Sequence, residues 1–216
     1  MQKALSGAVI ASAIALLSLP ALGADRRAYE FITIDLPDGL EPGGFYGAAG
    51  GINDRGWIVG AYGGIVSKAF LDTGRTFTTL DLPSTIQLCC ALKANGVNNR
   101  GKIVGIFLRA GGIIYTAGFI ERNGKFTSVD VPSLPFGSAE GISNNGTVVG
   151  WVGTHATCFF QQHGFVRSAR GEITMLDLPS AYSTYLTGVK RPGCYCWALR
   201  YRSLRPADRL YTPSQW

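Results

Sequence analysis

Four aspartates stand at matching places along this 216-residue chain: Asp35, Asp81, Asp130 and Asp177, each opening an Asp-apolar-Pro triplet. Four carboxylates gathered around one axis would bind a cation with oxygen ligands. A single aspartate before a proline more commonly accepts hydrogen bonds from the adjoining turn, and that structural role is the expectation. "NDRG" at Asn53 to Gly56 lacks the alternating carboxylates of a calcium loop. His155 and His163, the two histidines, lie either side of Cys158, but the spacings match no zinc site and a fourth ligand is missing. Nothing in the sequence brings Cys90 to His163 as a nucleophile pair.

The motifs that announce catalysis are lacking. There is no G-x-S-x-G elbow and no H-E-x-x-H pair. The glycines follow turn signals instead of opening helices, so they do not form a phosphate cradle. Asn145-Gly146-Thr147 matches a glycosylation sequon but reads better as a turn. No cofactor and no catalytic residue is expected. The formal charge of +6 suggests nucleic acid until its distribution is considered. Residues 24–188 hold 13 Lys/Arg and 13 Asp/Glu, so the excess sits at the two ends and no nucleic-acid partner is expected.

The elements that must position these residues repeat. Besides the Asp triplets, a glycine phrase recurs as "GINDRGWIVG", "GVNNRGKIVG" and "GISNNGTVVG", starting at Gly51, Gly96 and Gly141. An aromatic phrase recurs as Lys68-Ala69-Phe70, Ala117-Gly118-Phe119 and His163-Gly164-Phe165. The spacing of 45 to 49 residues marks a repeat architecture with about four strands per unit. In the glycine phrase Asn53, Asn98 and Ser143 take the first place of a turn, and Gly56, Gly101 and Gly146 the fourth. The run ending at Gly60, Gly105 and Gly150 is apolar on both faces, as a strand buried between neighbours is. Ahead of each Asp triplet, period-two pairs such as Leu80 with Leu82 and Val129 with Val131 mark a further strand, which proline ends. Residues 24–188 show no sustained helical period. The fold expected is all-β: a propeller-like array of four-stranded antiparallel blades, incomplete, with about three blades and the start of a fourth.

As a set, the glycine phrase, the His-Ala-Phe-like tripeptide and "F..LDLP" resemble the HAF-type extracellular repeat proteins of bacteria, from Phe31 to about Gly193. The resemblance implies export and a propeller-like β fold. It implies no catalytic residue.

Both ends of the chain differ from this body. Residues 1–23 read as a signal peptide: Lys3, an apolar run from Ala8 to Leu19, and small Ala21 and Gly23 before a cleavage site at Ala24. That places the protein outside the cell or in the periplasm, with no membrane span after cleavage. An oxidising compartment permits disulfides, yet five cysteines with no shared repeat position suggest none that is essential. Residues 189–216 break the pattern. One nucleotide inserted into a coding run for Val-Asn-Asp-Arg-Gly-Val-Ile-Val-Gly reproduces Val189 to Trp197 residue for residue. This tail is therefore expected to be out-of-frame or disordered sequence with no regular β structure. The strand after Gly193 is expected to be missing, leaving a sheet edge open to self-association.

These features point to an exported, non-catalytic binding or structural module whose partner is a surface polymer, glycan or protein. The alternatives are a propeller-type hydrolase or lyase acting on an extracellular polymer, and a decayed, non-functional fragment of a longer repeat protein.

Overall fold

The computed structural model describes residues 34–37, 40, 48–64, 66–81, 88–109, 115–155, 161–191 and 194–200. The chain divides into two compact units, Met1–Asp35 and Leu36–Trp216. Of the first, only Ile34 and Asp35 are described, both exposed. The signal segment, Cys158, Leu82, most of the strand expected before Asp35 and residues 201–216 lie outside the described residues, as do the side chains of Cys89 and Cys90.

Among the described residues of the second unit every regular element is a strand. β1 (Ala48–Ile52), β2 (Ile58–Tyr62), β3 (Lys68–Asp72) and β4 (Phe77–Leu80) form one antiparallel meander. β5 (Leu88–Val97), β6 (Ile103–Arg109), β7 (Tyr115–Arg122) and β8 (Lys125–Val129) form a second. β9 (Phe136–Ile142), β10 (Val148–Gly153), β11 (Gln162–Arg167) and β12 (Ile173–Met175) form a third. β13 (Ser183–Arg191) and β14 (Cys194–Arg200) pair as a two-stranded sheet. The fold is thus all-β, with blade-like antiparallel sheets that do not close into a barrel, in agreement with the repeat reading.

The sheets stack through their first strands. β5 packs on β1, β2 and β3; β9 on β5, β6 and β7; β13 on β9, β10 and β11. Strand alternation therefore buries both faces of the middle sheet. Ile103, Phe107, Ala117 and Phe119 face the first sheet with Val59, Ala69 and Leu80. Val104, Ile120 and Val129 face the third with Ala139, Val148 and Phe165. That two-sided burial is why the second strand of each unit is apolar at successive positions.

Glycine sets how near the sheets come. A Cβ built on Gly51 would lie 2.6 Å from the Asn95 carbonyl oxygen, and one on Gly141 would lie 3.0 Å from Gly188 Cα. On Gly96 it would meet Gly141 Cα at 3.6 Å. Backbone thus packs on backbone from one first strand to the next, and a side chain at Gly51 or Gly141 would force the sheets apart. Just before each of these glycines the first strand carries a bulge, with Gly50, Asn95, Glu140 and Thr187 as the extra residues. Such bulges bend a strand and increase its twist, as a tightly wound central strand requires.

The second glycine of the phrase serves its own sheet. Gly60, Gly105 and Gly150 pair across to Phe70, Phe119 and Phe165, the aromatics of the tripeptide. A Cβ on Gly150 would overlap the Ser138 carbonyl oxygen and stand 2.8 Å from Phe165 Cε1. The two sequence phrases are therefore halves of one packing unit: the ring covers the space that glycine leaves. The middle residue of the tripeptide is small for a related reason. A Cβ on Gly118 would come 2.9 Å from Ala139 N, and one on Gly164 would come 3.1 Å from Leu186 Cγ, both in the next sheet's first strand.

The tail differs from expectation. β14 pairs with β13 over Ser183↔Arg200 to Arg191↔Cys194, so Cys194–Arg200 forms regular β structure and the strand after Gly193 is present. Its register repeats that of the complete sheets. Cys196 stands opposite Gly188, as Val59, Val104 and Val149 stand opposite Gly51, Gly96 and Gly141. The physical reason is that ladder bonds need only backbone N–H and C=O groups, which every non-proline residue supplies. Cys, Tyr and Trp also suit strands. Cys194 and Cys196 are exposed free thiols.

These contacts rank the glycines. Gly150→Ala should lower unfolding free energy by about 3 kcal/mol, because the backbone carbonyl it meets cannot yield. Gly56→Ala meets open space but holds φ at +75°, and should cost only about 1 kcal/mol. Urea unfolding of the two variants checks the order.

Candidate functional site

The turns after the first strands come together at one end of the sheets. Each closes in the same way: Gly56 N donates to Asn53 O (3.0 Å), Gly101 N to Asn98 O (3.1 Å) and Gly146 N to Ser143 O (2.9 Å). The glycines take φ of +75°, +73° and +92°, a left-handed conformation that suits glycine. Asn53 Oδ1 accepts from Arg55 N and Trp57 N, and Asn98 Oδ1 accepts from Arg100 N and Lys102 N, all at 2.9–3.0 Å. Each amide oxygen thus fixes its own turn.

The amide nitrogens reach the next turn. Asn53 Nδ2 donates to Asn98 O and Asn98 Nδ2 to Ser143 O, both at 3.1 Å. Ser143 has no second group to continue the series. Its Oγ accepts from Thr147 N (3.1 Å) and is bonded to Asn145 Oδ1, so it closes its own turn and no more. The fourth copy carries Lys190 at this place.

A second ladder runs beside the first. Asn99 Oδ1 accepts from Asp54 N (3.1 Å), and Asn144 Oδ1 accepts from Asn99 N (2.8 Å). The Asp54 carboxylate accepts from Asn99 Nδ2 (2.8 Å) and also from Asn144 Nδ2 (3.3 Å), ninety residues along the chain. Three turns therefore converge on one carboxylate. Beside them lies an open depression of about 370 Å³. Ile52, Val97, Ile142 and Val189 contribute apolar surface to it, and Asp54, Asn144 and Lys190 polar groups. Ile52 is 67 % exposed there.

The aspartates singled out by sequence lie elsewhere. Asp81, Asp130 and Asp177 are exposed at the ends of the outer strands, just beyond β4, β8 and β12. Among the described residues no three His, Cys, Asp or Glu side chains gather closely enough to hold a metal ion. Asp177 accepts from Gly164 N (3.2 Å) and pairs with His163 Nδ1 (2.7 Å). Asp130 is bonded by Ser128 Oγ and lies 3.6 Å from Arg109. Asp130 and Asp177 therefore bond groups other than the turn before proline. Leu176 N donates to Gly164 O at 2.8 Å, and Asp177 takes the next ladder position, its carboxylate replacing a strand carbonyl.

Hydrolysis would need the His163–Asp177 pair to act on a nucleophile. Among the described residues the His163 ring hydrogen-bonds to Asp177 and to nothing else. His155 is placed apart from that pair, its ring stacked on Phe136 and its Nδ1 3.1 Å from Thr154 Oγ1. Glu121 has a raised titration. Burial pushes its carboxyl above the ordinary 4.5, with the hydrogen bond from Gly124 N opposing in part.

Comparison with protein-family models, curated proteins and solved structures gave no match. The site stands on its own geometry. Sequence reasoning treated Asn53 and Asn98 as turn formers and passed over Asp54, Asn99 and Asn144. The available signal was a polar residue at the second turn position, repeated at intervals of 45.

Asn98 is 2 % exposed, and its loss takes the acceptor from two backbone N–H groups and one of two donors from Ser143 O. Asn98→Ala should cost about 3 kcal/mol in urea unfolding, whereas Asn98→Ser, copying the third turn, should cost about 1 kcal/mol. For Glu121 the sign is fixed by the raised folded-state pKa: its contribution is full below the unfolded value and lost as pH rises through the folded one. Glu121→Gln should therefore be more stable than wild type at pH 7 and equal to it near about pH 4. Melting curves across that range check it.

Proposed function

We propose that the chain is an exported, non-catalytic binding module built of HAF-type repeats, whose partner is an extracellular polymer. The observation that carries this reading is how the polar groups divide. The polar side chains that repeat in the turns are bonded to one another, holding the sheets together. The charged side chains that vary between copies line open clefts. A scaffold of shared residues presenting a variable surface suits binding.

A second reading, a hydrolase, rests on the His163–Asp177 pair, which has the geometry of a base and its orienting carboxylate. It lacks a bonded nucleophile among the described residues.

The experiment is to express the chain in a secreting host, sequence the exported product from its amino terminus, and incubate it with extracellular polysaccharides. The expected result is a product starting at Ala24 that is retained by a polymer without shortening it, in wild type and His163→Ala alike. Shortening that disappears in His163→Ala would replace this reading with the hydrolase. A product that keeps Met1 and stays in the membrane would remove the export.

A further inference from the structure

We propose that the cleft between the second and third sheets binds an acidic polysaccharide through Lys102, Arg122, Lys125 and Arg167; this rests on the binding-module reading above. The cleft holds about 460 Å³, and no carboxylate is among its described lining residues. Arg122 and Lys125 are direct cross-strand partners on β7 and β8. Lys102 precedes Ile103, which pairs with Glu121, so it stands beside Arg122 at the end of the same sheet. Three cations side by side repel one another, and like charges directly opposite weaken a sheet. Arg167, at the end of β11, adds a fourth from the neighbouring sheet.

Among the described residues none of the four forms an ion pair. Glu121, next in the chain to Arg122, is 5 % exposed and spends its carboxylate on Gly124 N at 2.6 Å. The hairpin carrying Arg122 and Lys125 is fixed by Asn123 and Gly124, with φ of +52° and +78°, the tight two-residue turn that asparagine and glycine favour. A Cβ on Gly146 would lie 3.6 Å from Lys102 Nζ, so this ammonium reaches the third sheet's turn. The cations are thus held on a rigid frame around an open cleft, where an anion would relieve their repulsion.

The remaining lining selects the kind of anion. Asn123 and Thr127 offer hydrogen bonds to hydroxyls, and Ile120 and Ala169 an apolar surface. That combination suits a sugar bearing carboxylates, which arginine can hold through two parallel bonds. Among the described residues no aromatic side chain lines the cleft, and single-stranded nucleic acid relies on aromatic stacking.

The test uses the full chain and affinity electrophoresis through gels containing polygalacturonate, dextran or a single-stranded oligonucleotide. Polygalacturonate should retard the wild type, less so as salt is raised. Arg122→Gln/Lys125→Gln should weaken this on the order of tenfold, since two of the four cations facing the anion are lost. Arg75→Gln, at an exposed hairpin of the first sheet, should leave it unchanged. The double variant should unfold at the same or a higher urea concentration than wild type, so weaker binding is not loss of fold. Equal retardation of the double variant, no retardation by polygalacturonate, or tighter binding of the oligonucleotide overturns the proposal. Retardation by dextran that survives both substitutions overturns it too, while leaving the binding-module reading standing.

Discussion

Backbone lies against backbone where the first strands of successive sheets meet, and the rest of the structure depends on that closeness. Gly51 and Gly141 permit it because a Cβ on either would run into the backbone of the next first strand. Once the strands are that near, the turns they lead into are near as well. Asn53 can then bond Asn98, Asn98 can bond Ser143, and Asp54 can receive amides from two turns at once. With ordinary side chains between the sheets, those polar groups would stand beyond hydrogen-bond reach.

The spine also accounts for what varies. Packing fixes the glycines, the covering phenylalanines and the small residue of each tripeptide. The turn asparagines are committed to the neighbouring turn. Positions at the ends of the third strands carry neither duty, and there charge differs from copy to copy: Thr73, Arg122 and Ser168 occupy one equivalent place. Any partner must be recognised through such positions, since the shared ones are spent on the fold. The series weakens toward the fourth sheet, where Ser143 ends the amide ladder and Lys190 replaces a turn former.

Much of the sheet architecture was legible in the sequence, because each clue was local. Period-two pairs such as Val129 with Val131 mark a strand, and the doubly apolar run at Ile103 to Gly105 marks a strand covered on both faces. Contacts between copies were hidden. A spacing of 45 residues says that Asn53 and Asn98 are equivalent; it does not say that they touch. Charge misled for a related reason. Acids and bases balance along residues 24–188, yet Lys102, Arg122, Lys125 and Arg167 are brought to one cleft by pairing and stacking. The tail was misread because side-chain pattern was weighed where backbone pairing decides: 194–200 lost the repeat's residues and kept its register.

Glycine contacts and amide ladders should join the first three sheets into one cooperative unit. Native-state hydrogen exchange, resolved by residue as a function of denaturant, reads that cooperativity. Core amides of β1, β5 and β9 should share one opening free energy, the highest among the described strands, with β13 and β14 opening below it. Separate opening free energies for the three sheets, each exchanging as an independent meander, would contradict it.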